Sequence, residues 1–172
     1  MTEGEDRSRD PVAAAKLERD QDLMRRVARG DRVARQQLVK ELWRRVSNMA
    51  RYMSPYRDEA EDLAQEAMLE ILKASGSYGG SGCVEAWADV IASRTILRRL
   101  RKLHRWRRFF VRERAEEEED AVSRVPDDGL PLDDAAASRA RHARLAALLQ
   151  RLPADCRMAL VLKLVHGYTV EE

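Results

Sequence analysis

Aromatic residues make up only 5% of this 172-residue chain, and it holds just five prolines and eight glycines. With Ala, Leu, Arg and Glu abundant instead, the composition argues against sheets and for helices. No apolar run approaches the ~20 residues needed to cross a bilayer. The opening "MTEGEDRSRD" lacks the apolar centre of a signal peptide. These absences point to a soluble, cytoplasmic protein. The two cysteines, Cys83 and Cys156, have no metal-ligand spacing, and in a cytosol they read as unpaired thiols. His104, His142 and His166 also lack the spacing of a metal site or a nucleophilic triad, so surface or helix-end positions are expected for them. The glycine-rich "SGSYGGSG" lacks the Lys-Ser/Thr ending of a phosphate-binding loop and follows a helical pattern instead of a strand. No catalytic residue, metal or cofactor is expected. The chain reads as a binding protein, not an enzyme.

Charge is what the sequence has in quantity: 36% of residues are Asp, Glu, Lys or Arg, yet the net charge is only +2. The balance hides two opposed blocks. From Arg94 to Arg112 there are nine Arg or Lys and no acid. From Glu113 to Asp134 there are ten acids against Arg114 and Arg124. Such blocks side by side mark a boundary and a segment that faces a polyanion.

The length suits one domain or two small ones. A first helix is expected from Asp10-Pro11 to Arg29, with "LMRRVA" supplying its apolar face and Gly30 stopping it. Asp31 can cap a second helix, whose Ala34, Leu38, Leu42, Val46, Met49 and Met53 recur at steps of three or four until Ser54-Pro55 breaks it. A third, near Asp58 to Ala74, sets Ala60, Leu63, Ala64, Ala67, Ile71 and Leu72 on one face and a row of acids on the other. Four glycines within Ser75–Gly82 forbid its continuation. A fourth helix begins near Val84 and extends to about Arg112, with Trp87, Val90, Ile91, Leu97 and Leu100 as its expected core stripe. Residues 113–137 have the composition of an acidic tether. Helical pattern returns in "ARLAALLQRL" and "CRMALVLKLV", on either side of Pro153, and Gly167 provides a stop. The last 35 residues are too few to bury a core alone.

The acid-free block on the fourth helix carries the main functional signal. Duplex DNA bears one charge per ~1.7 Å of axis, a density that this ~28 Å cationic run matches. Trp106, Phe109 and Phe110 add stacking surfaces among the cations. Tyr78, in the glycine-rich loop beside this rail, either receives an unstacked base or packs on the core. The chain also closes on "YTVEE", in which Thr169 and Glu172 have capping-box spacing, so the sequence stops inside what looks like the first turn of a helix.

"AEDLAQEAMLEIL" followed by "YGGSGCVEAWADVIASR", with "GD" at Gly30-Asp31, resembles domain 2 of the extracytoplasmic-function sigma factors of bacterial RNA polymerase. "RLPADCRMALVLKLVHGYTVEE" resembles the start of their domain 4. The resemblance implies an all-α protein: a sigma domain 2 bundle at 11–112, an acidic flexible linker at 113–137, and at 138–172 a domain 4 cut short before its recognition helix. It implies that Asp62, Leu63, Gln65 and Glu66 dock on the clamp helices of the largest subunit of core RNA polymerase. Tyr78 and the loop to Val84 would capture a flipped base of the promoter −10 element, while Trp87 and Ile91 fill core positions. Arg94, Arg98, Arg99, Arg101, Lys102 and Arg105 would line the helix that follows promoter DNA. An anti-sigma factor is a further implied partner. Ser93, Arg94, Arg98 and Gly79 depart from the family pattern, and the added cations favour phosphate contact over base reading. Two alternatives remain: a sequence-tolerant nucleic-acid-binding protein that never meets polymerase, and a module whose basic helix docks an acidic protein.

Overall fold

The computed structural model describes residues 11–110, 144, 145 and 147–168. The described residues contain no strand; their elements are α1 (Pro11–Ala28), α2 (Arg32–Met53), α3 (Arg57–Lys73), a 3-10 turn (Ala74–Ser77), α4 (Val84–Phe110) and α5 (Ala154–His166). Residues 144, 145 and 147–149 are also helical. The acidic tether at 113–137, the side chains of Trp106, Phe109 and Phe110, His142 and the capping box at 169–172 lie outside the described residues. Among the described residues no helix is long and apolar enough to cross a membrane.

The joints follow from local chemistry. Gly30, at φ +87°, ends α1 in the left-handed conformation. Its amide donates to Val27 O at 3.0 Å and that of Asp31 to Arg26 O at 3.1 Å. The Asp31 carboxylate then accepts from the amides of Val33 (2.8 Å) and Ala34 (3.2 Å), starting α2 as its sequence predicts. Arg26 grips the other carboxylate oxygen at 2.8 Å, so one acid closes one helix and opens the next. Ser54 ends α2 and bonds Glu59 in the first turn of α3.

All six predicted core positions of α2 are buried, and Leu23, Met24 and Val27 of α1 join them. Ala60, Leu63, Ala64, Ala67, Met68 and Ile71 of α3 complete that side. In α4 the expected stripe is corrected at one position: Leu100 is buried and Trp87, Ile91 and Leu97 pack against the core, but Val90 does not. Val90 is 47% exposed, and the line that faces the core is Val84, Ala88, Ala92, Ile96 and Leu100. Burying each large apolar side chain stabilises the body by roughly 1.5–3 kcal/mol.

The C-terminal stretch buries Leu149, Met158 and Val161 in the same apolar cluster as α1–α4. Its α5 packs on α2 and α4. Arg157, only 7% exposed, spreads its guanidinium over main-chain carbonyls of Met53 (2.7 Å), Leu149 (2.9 Å), Leu152 (3.1 Å) and Gln150 (3.2 Å). Gln150 adds a bond to Tyr52 O at 3.2 Å. The last carbonyls of α2, which have no partner within their own helix, are thus capped from the far end of the chain.

Candidate functional site

Three surfaces gather the residues singled out by sequence. The first is the outer face of α3. Asp62 and Gln65 are exposed there, Glu66 is half-buried, and Leu63 points inward at 2% exposure. Glu61 is held by Arg57 at 2.9 Å and Glu70 by Lys73 at 2.8 Å. Asp62 and Gln65 have no hydrogen-bond or ion-pair partner among the described residues. Leu69, one turn beyond Gln65, is 56% exposed on the same face. The sequence pattern gives Leu69 no role, since it lies off the apolar face of α3 and carries no charge.

The second surface is the loop after α3. Tyr78 lies edge-on to Trp87, ring centroids 5.6 Å apart, and its hydroxyl donates to Gly82 O at 2.7 Å. Of the two readings of this side chain, packing on the core is the one seen in this state. Burial, then the nearby Asp20, Cys83 and Glu85, push its phenol above the ordinary value. Gly80 and Gly82 take positive φ, 73° and 83°, and Gln21 of α1 donates to Gly80 O at 2.8 Å. A Cβ at Gly80 would sit 3.2 Å from that same Gln21 amide nitrogen, so glycine suits the site in conformation and in space. Lys16 reaches Glu85 at 2.8 Å and ties α1 to the first turn of α4. Between α1 and the loop lies a cavity of about 300 Å³ lined by Gln21, Met24, Arg25, Ser75, Tyr78 and Gly80.

The third surface is α4. Arg94, Arg98, Arg101 and Arg105 recur at steps of four, three and four, which makes one exposed stripe, with Lys102 beside it. Arg99 instead turns to α3, 3.5 Å from Glu66. Arg101 pairs with Asp155 of α5 at 2.5 Å, each side chain more than 60% exposed.

A fourth group was not anticipated. Asp89 of α4 is 1% exposed and accepts Arg45 through Nε at 2.8–2.9 Å and Nη2 at 2.5 Å. It also accepts the His166 ring Nδ1 at 2.7 Å and the Tyr168 hydroxyl at 3.0 Å. Burial alone would raise the Asp89 pKa; hydrogen bonds from His166 and Arg45 overcome it and hold the carboxyl below its ordinary range. The Tyr168 phenol is pushed up to about 12 by burial and by the Asp89 charge. His166 is a helix-end residue, as expected, but its side chain is buried and not on the surface. The available sequence signal was an acid between apolar Trp87 and Ile91; nothing local points it at residues 77 positions away. Cys83 and Cys156 are unpaired and exposed.

Comparison with known proteins bears on these surfaces together. The Sigma-70 region 2 family matches residues 38–107, from within α2 to near the end of α4. The chain is 31% identical over 163 residues to the RNA polymerase sigma-H factor of Pseudomonas aeruginosa, covering 90% of this chain and 80% of that protein. It is 28% identical over 154 residues to the ECF RNA polymerase sigma factor SigM of Mycobacterium tuberculosis strain H37Rv, covering 89% and 70%. Against SigM of the Erdman strain, it is 28% identical over 144 residues and spans 65% of the relative. The chain belongs to the extracytoplasmic-function sigma factors of RNA polymerase.

Proposed function

We propose that this sigma factor works through two faces of one helical body in transcription initiation. The α3 face docks on core RNA polymerase, and α4 with the loop at 75–82 engages the promoter −10 region and holds its strands apart. Asp62, Gln65 and Glu66 meet the clamp helices of the largest subunit, Leu63 fixes α3 beneath them, and Leu69 adds an apolar contact. Tyr78 and the adjoining cavity take a base that has left the stack. Arg94, Arg98, Arg101, Lys102 and Arg105 track phosphates, and Arg99 joins them when Glu66 releases it. The division into 11–112, 113–137 and 138–172 is part of this proposal. So are an acidic linker lying along the enzyme's cationic channel, an anti-sigma partner, and action in the cytoplasm. The chain itself makes and breaks no bonds; binding energy stabilises melted DNA.

The observation that carries this reading is an unengaged carboxylate-and-amide pair, Asp62 and Gln65, on the helix next to an acid-free arginine stripe. An α3 face meant only for solvent would gain by pairing its acids internally, as Glu61 and Glu70 do. The test is capture by core RNA polymerase. Asp62→Ala with Gln65→Ala should weaken capture by about tenfold or more and leave binding to bare DNA intact. Undiminished capture, or equal loss of DNA binding, would count for a nucleic-acid-binding protein that never meets the enzyme.

A further inference from the structure

The C-terminal stretch is held to the helical body by contacts that a merely tethered segment would lack. His166 and Tyr168 converge on one buried carboxylate, Asp89, which Arg45 also holds. Arg157 caps the end of α2, and Leu149, Met158 and Val161 share the body's apolar cluster. Opposite that seam, Asp155 stands against Arg101, at the edge of the α4 cation stripe. Thirty-six residues, 111–146, separate α4 from the docked stretch. Extended at ~3.3 Å each, they would reach roughly 120 Å, so release needs no other part of the fold to yield.

We infer that residues 147–168 form a self-docking latch on the body of this sigma factor, with Asp89 as the catch, and that the closed latch weakens DNA binding along α4. The weakening rests on the proposal that α4 is the DNA-following helix. It has two sources. The latch occupies Arg101, removing one cation from the stripe, and it leaves the Asp155 carboxylate where a phosphate would have to lie. Like charges a few ångströms apart at a protein surface repel appreciably even in high dielectric. Closure leaves Asp62 and Gln65 on α3 exposed. The latch therefore gates DNA while the polymerase-side face stays open.

Two variants of the full chain separate the parts of the inference. His166→Ala with Tyr168→Phe removes two bonds to the catch and touches no residue of the proposed DNA surface. Amide hydrogen exchange over 154–168 is expected to speed up by about 10–100-fold, with α2 and α3 unchanged. Affinity for a pre-melted promoter fragment at low salt should rise about three- to tenfold. Asp155→Asn should raise affinity by a similar or smaller factor without speeding exchange, since an exposed pair adds little to docking. If the double variant does not fold, Tyr168→Phe alone, which deletes one hydroxyl, carries the same expectation at smaller amplitude. Unchanged exchange would overturn the latch. Faster exchange with DNA affinity unmoved in every variant would overturn the gating. Binding of the parent chain to the fragment, measured in the same series, tests the DNA reading separately from either result.

Discussion

Asp89 gathers three side chains from distant parts of the chain, Arg45, His166 and Tyr168. A carboxylate taken out of water is unfavourable unless donors surround it, and here a guanidinium, an imidazole and a phenol converge on it. Its pKa is depressed in the folded state, so its contribution is fully present above the ordinary Asp range and is lost as pH falls through the folded value. Tyr168 works at the opposite limit. With its phenol raised to about 12, the neutral form contributes below the ordinary value near 10, and that contribution is lost as pH rises through the folded value. Phenolate absorbance of the parent minus that of Tyr168→Phe should therefore titrate about two pH units above an exposed tyrosine. A difference titration near 10 would show that Tyr168 is not held on Asp89. Tyr78 is the other informative residue. Its ring must leave Trp87, and its hydroxyl Gly82, before it can stack on a base. Tyr78→Ala should weaken binding to opened or single-stranded promoter DNA by roughly 1–3 kcal/mol and alter duplex binding far less. Equal losses on the two substrates would contradict base capture.

At the level of elements, the first two helices were legible in the sequence because their signals agree. A large-residue stripe at helical period, a glycine stop and an aspartate cap all place α1 and α2 where they stand. In α4 Trp87, Ile91, Leu97 and Leu100 pack in or against the core as expected, but Val90 misled and the buried alanines went unnamed. Ala88 and Ala92 are 0% exposed, while Val90 is turned outward. Ala60, Ala64 and Ala67 of α3 are likewise buried, and α3 packs along α4. The α3 alanines were legible from their period, whereas Ala88 and Ala92, set among larger apolar residues of α4, were not. Ala88→Leu should destabilise the chain by about 1–3 kcal/mol in denaturant unfolding; a neutral result would mean the interface has slack. The cation stripe, by contrast, was visible as composition, although only the folded helix separates Arg99 from its neighbours. Arg98→Glu with Arg105→Glu should lower affinity for duplex DNA and flatten its salt dependence by about 0.9 per phosphate contact removed. An unaltered salt slope would favour an acidic protein as the ligand of α4.

Across the whole molecule, motifs and composition suggested candidate surfaces but not how the C-terminal stretch meets α2 and α4. Residues 138–172 read as too short to bury a core alone, and the described part of that stretch shares the core of the helical body. The resolution lies in contacts spanning about a hundred positions, such as Arg157 with Met53 and Gln150 with Tyr52, for which no local pattern exists. Leu69 and Asp89 escaped notice for related reasons, since one is an apolar residue facing out and the other an acid facing in. Each is an exception to the rule that polarity follows exposure, and such exceptions are where a single sequence says least.

On the proposed function, the contact between Glu66 and Arg99, 3.5 Å long, would make two neighbouring tasks share one pair of side chains. A carboxylate drawn toward a new donor on α3's outer side surrenders its hold on the guanidinium, which then becomes available on α4. Half-exposed ion pairs are worth only ~0–1 kcal/mol, so the effect is a bias of at most about fivefold. On the proposed function the coupling is reciprocal: enzyme held at Glu66 favours DNA at Arg99, and DNA at Arg99 favours the enzyme by the same factor.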